Sequence, residues 1–219
     1  MSAQLPLELG HRPALGRADF MLAPCNAEAV AWLDRWPQWP GPALVLYGPA
    51  GSGKSHLGHV FAARSGARSL DAAALATDRI PVSLGDARAA MVDDAERASE
   101  EPLLHLYNLL AERRGHLLVI AREPPARWAI ALADLRSRLI AAPAVAVREP
   151  DEALVAALLV KLFADRQLAV GDELVQYLVP RLERSFAAAA AAVAALDHAA
   201  LAEQRPITVP LARRVLSFG

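Results

Sequence analysis

The sequence predicts an α/β fold, with a parallel five-stranded sheet flanked by helices and followed by a small C-terminal helical domain. Residues 48–55 read Gly-Pro-Ala-Gly-Ser-Gly-Lys-Ser, the pattern of a P-loop. Short apolar segments of strand length alternate with helical patterns as far as residue 149, which is typical of a parallel sheet. Beyond Pro150 only helical patterns remain. We therefore expect an extended tail over 1–18, an α/β core over 19–149 and a helical domain over 150–219.

Each element follows from a local pattern. The first residues contain Pro6, Pro13 and two glycines and lack a helical period, so they are expected to be extended. A helix is predicted from Ala27 to Trp36, before a proline-rich loop. The predicted strands are 43–47, 69–71, 89–92, 117–121 and 144–147. The other predicted helices are 56–64, 101–114, 132–141, 151–166, 172–182, 185–201 and 210–216.

Composition limits the possible functions. The 219 residues carry a net charge of −1, so a large basic surface for DNA is not expected, and any contact with DNA should run through a partner. Cys25 is the only cysteine, which excludes a disulfide within the chain and suits a reducing cytosol. The N-terminus shows no signal-peptide pattern. The longest apolar run, 186–196, is too short to span a bilayer, so we expect a cytoplasmic protein without a membrane partner.

The P-loop pattern predicts a phosphate-binding site. Its glycines allow backbone N–H groups to close around phosphate oxygens, Lys54 suits the β- and γ-phosphates, and the Ser55 hydroxyl suits Mg²⁺. A glycine-rich turn that matches by chance is the alternative, but the apolar run before the loop and the helical pattern after it favour the P-loop. We expect ADP or ATP with Mg²⁺. The predicted cofactor-binding residues here are Gly48, Pro49, Ala50, Gly51, Ser52, Gly53, Lys54, Ser55 and His56.

Two acids follow the third predicted strand. Asp93 at its end is placed to reach Mg²⁺, together with Ser55, and Asp94 is placed to orient an attacking water. Alone, such a pair is more often a helix N-cap and a solvated turn. The upstream P-loop favours the catalytic interpretation.

Several segments, taken in order, resemble a known family. They include Gln4–Leu9, Asp19-Phe20 with Asn26, the P-loop, Asp93-Asp94, 105–108, 135–138, 183–186 and 204–210. In order and spacing they resemble the AAA+ domain of the replication initiator DnaA, and more closely the Hda family, the stand-alone regulatory inactivators of DnaA. The resemblance covers nearly the whole chain. It implies an AAA+ core with a helical lid, DnaA as partner, and a role in turning initiation off.

The resemblance implies that Gln4–Leu9 is a peptide that binds the sliding clamp, the β subunit of DNA polymerase. An extended segment places Leu5, Leu7 and Leu9 on one side, where they can fill an apolar cleft while the Gln4 amide fixes the register. The alternatives are a frayed tail or an edge strand. DNA would be reached only indirectly, through the clamp.

Two arginines gain roles from the resemblance. Arg138 is similar to the arginine finger, which reaches the γ-phosphate of a nucleotide held by a neighbouring molecule. The alternative is a surface arginine paired with Asp134 at i, i+4. Arg184 is similar to the sensor II arginine, which projects from the lid onto the phosphates of its own chain. Its alternative is a surface arginine near Glu183 and the acids at 172 and 173.

Phe20 and Asn26 resemble the segment around the adenine, and Asn26 is also a candidate N-cap for the first helix. One position departs from the family pattern. Relatives usually place a small polar sensor I residue where this chain has Ala121, which cannot bond a water or phosphate through its side chain. We therefore expect weak hydrolysis of the chain's own nucleotide. A clamp or DnaA adaptor without enzymatic action, an independent P-loop ATPase such as a helicase loader, a small-molecule kinase, and a homo-oligomer remain alternatives.

Overall fold

The computed structural model describes residues 21–216, so the predicted tail and residues 217–219 lie outside the description. The strands are β1 Ala43–Tyr47, β2 Arg68–Asp71, β3 Ala89–Asp93, β4 His116–Ala121 and β5 Ala144–Ala146. The helices are α1 Ala27–Asp34, α2 Lys54–Ser65, α3 Ile80–Leu84, α4 Glu100–Glu112, α5 Ala133–Ala141, α6 Glu152–Asp165, α7 Asp172–Leu178, α8 Phe186–Glu203 and α9 Val209–Val215.

The five strands form one parallel sheet in the order β2-β3-β4-β1-β5, which confirms the predicted fold class. Each strand was predicted within a residue or two of its observed bounds. In β1, which lies inside the sheet, Ala43 and Val45 face one helical layer while Leu44 and Leu46 face the other. Both faces are buried, so the strand is apolar throughout and does not alternate with polar residues.

The sheet separates two layers of helices. One hydrophobic cluster joins α1 and α2 to the face that carries Leu44 and Leu46. The opposite cluster joins α3, α4 and α5 to the face that carries Val45. Helix α2 can approach the sheet closely because residue 58 is glycine, and a Cβ there would lie 2.4 Å from Ile120 Cδ1. The helix that follows the P-loop and the helix that carries Arg138 are therefore in different layers.

Helices α6 to α9 form a separate hydrophobic cluster after β5. Asp151 caps α6 by accepting a hydrogen bond from the Leu154 N–H at 2.8 Å, and Ser185 caps α8 by accepting one from the Ala188 N–H at 3.0 Å. Within residues 21–216, α8 alone has the length and hydropathy of a membrane span. Four of its five buried residues, Ala189, Val193, Leu196 and Ala200, belong to this cluster.

The structure also contains elements that the sequence did not predict. Helix α3 has only five residues, and short 3₁₀ turns cover Ala95–Arg97 and Pro125–Arg127. Such pieces are too short to show a hydrophobic period. Helix α7 ends at Leu178, four residues before the predicted end.

Candidate functional site

The P-loop lies between the end of β1 and the start of α2, as predicted. Gly51 and Gly53 adopt φ angles of +74° and +94°, which favour glycine. A Cβ at Gly48 would lie 2.0 Å from the Val147 carbonyl oxygen. The Gly48 N–H donates to the Ala121 carbonyl at 3.2 Å, so the loop begins directly beside the sensor I position. At Gly48, Gly51 and Gly53, a residue with a Cβ would therefore clash or have a strained backbone.

Lys54 is buried at the start of α2, with 8% of its surface exposed. Its Nζ donates to the Pro49 carbonyl at 2.7 Å and lies 3.4 Å from Ser52 Oγ. Burial lowers the pKa of Lys54, and the negative charges of Asp93 and then Glu96 oppose that effect. Among residues 21–216, the ammonium group therefore forms hydrogen bonds within its own loop and no ion pair.

The two predicted acids point to different partners. Asp93 is the last residue of β3, its Oδ1 accepts from the Asp94 N–H at 2.9 Å, and its charge is the strongest acting on Lys54. Asp94 has a left-handed backbone (φ 48°), and its carboxylate lies 3.9 Å from the Arg97 guanidinium. Asp93 is thus close enough for its charge to oppose the lowering of the Lys54 pKa, whereas the Asp94 carboxylate faces an arginine outside the predicted site.

The helical lid rests directly on the P-loop. The Phe186 N–H donates to the Gly51 carbonyl at 3.0 Å. A Cβ at Gly51 would lie 2.3 Å from Ser185 Cβ, and one at Gly53 would lie 3.1 Å from the Phe186 ring. Ser185 is 2% exposed. The N-terminus of α8 is therefore packed against the loop that the motif assigns to phosphate.

Arg184 lines a cavity of about 810 Å³ at the boundary between the sheet and the lid. Gly48 and Pro49 line the same cavity, so the structure brings this arginine near the start of the P-loop. The Arg184 guanidinium bonds Glu152 Oε1 at 2.6 Å, which is not one of the acids considered from sequence. Three further arginines line the cavity, at positions 122, 127 and 148.

Arg138 lies on α5 and is not among the residues that line this cavity. Its Nε donates to Asp134 Oδ1 at 2.9 Å, which is the i, i+4 pair that the sequence allowed. The guanidinium also lies 5.3 Å from the centre of the Tyr107 ring. The hydrogen bond to Asp134 is the main cause that raises the pKa of Arg138. The side chain remains 36% exposed, so it is accessible from outside.

The remaining predicted residues divide into two groups. Ser55 and His56 lie in the first turn of α2, and Asn26 directly precedes α1. The prediction that the Asn26 side chain caps α1 is wrong. Its Oδ1 accepts from the Ala23 N–H at 2.9 Å and its Nδ2 donates to the Met21 carbonyl at 3.0 Å, so the buried amide closes the preceding turn. Outside the described residues lie Gln4, Leu5, Leu7, Leu9 and Phe20.

The donor set suits a nucleoside phosphate with Mg²⁺. Glycines leave backbone N–H groups of the loop free of Cβ atoms, and the buried Lys54 supplies a positive charge. The Ser55 hydroxyl and the Asp93 carboxylate are oxygen ligands of the kind that Mg²⁺ prefers. Ala121 ends β4 beside the loop and is 1% exposed, with no polar side chain to contribute.

Sequence reasoning missed two glutamates near the site. Glu96 accepts from the Arg122 N–H at 3.0 Å, and Glu100 accepts from the Ala131 and Leu132 N–H groups at 2.9 and 2.7 Å. Their only signal in the sequence is an i, i+4 spacing shortly after Asp93. Neither residue type nor spacing predicts a partner some thirty positions away.

Solved structures share this fold over most of the chain. Domain III of the replication initiation protein DnaA from Thermotoga maritima matches with a TM-score of 0.75 at 15% identity, covering 94% of this chain and 96% of that one. AMPPCP-bound DnaA from Aquifex aeolicus matches with a TM-score of 0.69 at 16% identity, covering 85% and 66%. The Thermotoga maritima RuvB Holliday junction branch migration motor matches with a TM-score of 0.67 at 14% identity, covering 87% and 65%.

A family model locates the relationship more narrowly. Residues 151–216 match the lid domain of Hda. That range begins one residue before α6 and ends one residue after α9, so it contains all four helices that form the separate cluster. The chain therefore joins a C-terminal domain that matches the Hda lid to a core with the fold of DnaA domain III.

Proposed function

We propose that this protein is a negative regulator of DNA replication initiation that acts in the cytoplasm. In this proposal it binds the sliding clamp through Gln4–Leu9 and presents Arg138 to ATP held by DnaA, which promotes hydrolysis of that ATP. The observation that carries the proposal is the position of Arg138. It is accessible on α5, in the helical layer opposite to the one that contains α2. Such an arginine is better placed to serve another molecule's nucleotide than its own.

The chain's own site is proposed to hold ADP or ATP with Mg²⁺. Lys54 would take phosphate oxygens, and Ser55 and Asp93 would hold the metal ion, which neutralises phosphate charge when bound. Arg184 would release Glu152 and bind phosphate oxygens. Phe20 and Asn26 would lie near the base. DnaA from Aquifex aeolicus, which shares the fold, binds AMPPCP. Because Ala121 offers no polar group, we expect the nucleotide to set the protein's shape rather than to be turned over quickly, even with Asp94 available for water.

The pairing of Arg138 with Asp134 is compatible with a role as a finger. Exposed ion pairs of this kind are worth about 0 to 1 kcal/mol. An arginine finger can contribute about 10³- to 10⁵-fold in rate, or roughly 4 to 7 kcal/mol. The developing charge on a transferred phosphoryl group is therefore a much stronger partner than Asp134. We regard the observed contact as a resting position.

The test is hydrolysis of DnaA-bound ATP in the presence of clamp loaded on DNA. Arg138→Ala should lose stimulation by at least about a hundredfold, given the contribution of a finger. Arg136→Ala removes an exposed arginine from the same helix and is the matched control. Stimulation by Arg138→Ala equal to that of the wild type would show that the mechanism is wrong.

A second candidate function is that of an adaptor that recruits DnaA to the clamp without supplying a catalytic group. The bond between Arg138 and Asp134 favours it, because that arginine already has a partner. Regulation that survives Arg138→Ala but is lost on removing residues 1–9 would select the adaptor. Rapid ATP turnover by the purified protein alone would instead indicate an independent ATPase such as a helicase loader. Sedimentation with and without nucleotide would reveal a homo-oligomer.

A further inference from the structure

Two glutamates hold both ends of the loop between β4 and α5. Glu96 Oε1 accepts from the backbone N–H of Arg122, the first residue after β4. Glu100 Oε1 and Oε2 accept from the N–H groups of Ala131 and Leu132, the last residues before α5. Both glutamates belong to the segment that follows Asp93. One short segment next to the predicted metal-binding acid thus fixes where the loop starts and where α5 begins.

The loop connects two functional positions. It starts immediately after Ala121, which lies beside the P-loop, and it ends at the helix that carries Arg138. The backbone bonds from Ala131 and Leu132 lower the pKa of Glu100, so this carboxylate stays ionised and remains an acceptor. Any shift of the two glutamates would therefore move the start of α5.

Glu96 is the member of the pair that lies near the P-loop. It bonds the N–H of Arg122, and the carbonyl of the preceding residue, Ala121, accepts from the Gly48 N–H at 3.2 Å. The negative charge of Glu96 also opposes the lowering of the Lys54 pKa. Its second oxygen, Oε2, is buried and has no hydrogen-bond partner among the described residues. A buried carboxylate oxygen without a donor is unfavourable by at least about 1 kcal/mol. Glu96 can therefore gain from any change that brings a donor to that oxygen.

The loop also has room to move. A cavity of about 370 Å³ lies beneath it, between the segment that follows β3 and the start of α5. Glu96, Glu100, Trp128 and Leu135 are among the residues that line it. Leu135 belongs to α5, so the same space borders the Glu96 carboxylate and the helix that carries Arg138. The loop therefore borders open space on this side, while Leu135 itself stays buried in the core.

We propose that Glu96 and Glu100 are positioning residues through which a nucleotide at the P-loop sets the placement of α5, and with it Arg138. This inference rests on the proposed function, since it describes how that site is regulated. When phosphate takes Lys54 from the Pro49 carbonyl, the charge that faces Glu96 changes. Glu96 then adjusts its bond to the Arg122 N–H, the loop shifts into the cavity, and Glu100 carries the shift to Ala131 and Leu132.

The first test observes the loop without DnaA. Trp128 lies in the loop, where its Nε1 donates to the Glu123 carbonyl at 2.8 Å. The chain has four tryptophans, so ¹⁹F NMR of protein labelled with 5-fluorotryptophan gives few signals, and Trp128→Phe assigns the one needed. Adding ADP or ATP with Mg²⁺ should shift the Trp128 signal. In Glu96→Gln the nucleotide should still bind, within about threefold of wild-type affinity, but the shift should be lost.

The controls separate the possible outcomes. Glu112→Gln changes an exposed glutamate at the far end of α4 and should keep the shift. Amide hydrogen exchange should be faster at Arg122 in Glu96→Gln and faster at Ala131 and Leu132 in Glu100→Gln. This verifies, in folded protein, that the two glutamates bond those amides. A shift that survives in Glu96→Gln, or nucleotide binding without any shift in the wild type, overturns the inference and leaves the proposed function intact. In that case the glutamates only hold the loop. If the wild type does not bind nucleotide, both this inference and the proposed function are overturned.

The second test uses the stimulated ATPase. Glu100→Gln keeps one good acceptor oxygen in place of two, so α5 should be less well placed. We expect kcat for hydrolysis of DnaA-bound ATP to fall about tenfold with the KM for DnaA unchanged. Equal losses in kcat and in binding of DnaA would indicate general damage to the surface and would contradict a positioning role. If Arg138→Ala stimulates hydrolysis of DnaA-bound ATP fully, the proposed function is wrong. The NMR result still decides whether nucleotide moves the loop before α5.

Discussion

Replacing Lys54 with methionine should leave the stability of the free protein nearly unchanged but should reduce the stability that nucleotide adds. In the free protein the change removes a buried positive charge and the bond from Nζ to the Pro49 carbonyl at 2.7 Å. Loss of the bond from this charged donor is unfavourable by about 1.5 to 3 kcal/mol, and removal of the desolvation cost of the buried charge offsets most of it. We therefore expect the free energy of unfolding without nucleotide to stay within about 1 kcal/mol of the wild type.

With nucleotide, the same change removes hydrogen bonds from a charged donor to phosphate. Such bonds contribute about 1.5 to 3 kcal/mol, which corresponds to about 12- to 150-fold weaker binding. At a nucleotide concentration about 1,000 times the wild-type Kd, the wild type gains about 4.1 kcal/mol of stability. The variant should gain only about 1.2 to 2.6 kcal/mol at that concentration.

The assay is chemical unfolding with and without nucleotide. Lys161→Met is the matched control because the chain has only two lysines. Lys161 lies on α6 and bonds Asp165 Oδ2 at 2.7 Å, far in sequence from the P-loop. It should keep the full gain from nucleotide. The reasoning is refuted if Lys54→Met keeps the wild-type gain, or if it loses several kcal/mol of stability without nucleotide.

Three further predictions concern packing, pH and the lid. Gly58→Ala should destabilise the fold by about 1 to 2 kcal/mol in urea titrations, because the clash with Ile120 outweighs better helix propensity, and adding Ile120→Val should recover part of the loss. Full additivity of the two changes would contradict the clash. His116 has its pKa lowered by burial, so the folded protein should lose stability as pH falls below about 6.5, and His116→Phe should lose less between about pH 7 and pH 5. Equal losses in both proteins would exclude this role. Glu152→Gln frees Arg184, so calorimetry should show up to about fivefold tighter nucleotide binding, whereas Arg184→Ala should weaken it. Weaker binding in Glu152→Gln would contradict competition for the arginine.

The fold could be predicted from sequence because its signals are local. The P-loop and the five apolar segments each occupy a few consecutive residues, and all five strands lie where those segments indicate. The change to helices alone after Pro150 could likewise be predicted, since the residues beyond it show only helical periods. Such patterns can be read without the tertiary structure, because the spacing of apolar residues is a property of the sequence itself.

Side-chain partners could not be predicted in the same way. Arg184 bonds Glu152 and Glu100 bonds Leu132, and each pair is separated by 32 positions. Asp94 has a left-handed backbone and its carboxylate faces Arg97, and the sequence indicates neither feature. Asn26 was placed at the correct helix boundary, but its amide bonds backward into the preceding turn. The sequence identified site residues by type, whereas their orientation depends on the tertiary fold.

The contact between the P-loop and the lid has a consequence for how this protein can change over evolutionary time. Gly51 has no room for a Cβ while Ser185 occupies its present position, and the Gly51 carbonyl accepts from the Phe186 N–H. A lineage that replaced the glycine would have to reorient the start of α8 in the same step. Positions 51 and 185 should therefore covary among descendants of this protein, although the first belongs to the phosphate-binding motif and the second to the lid.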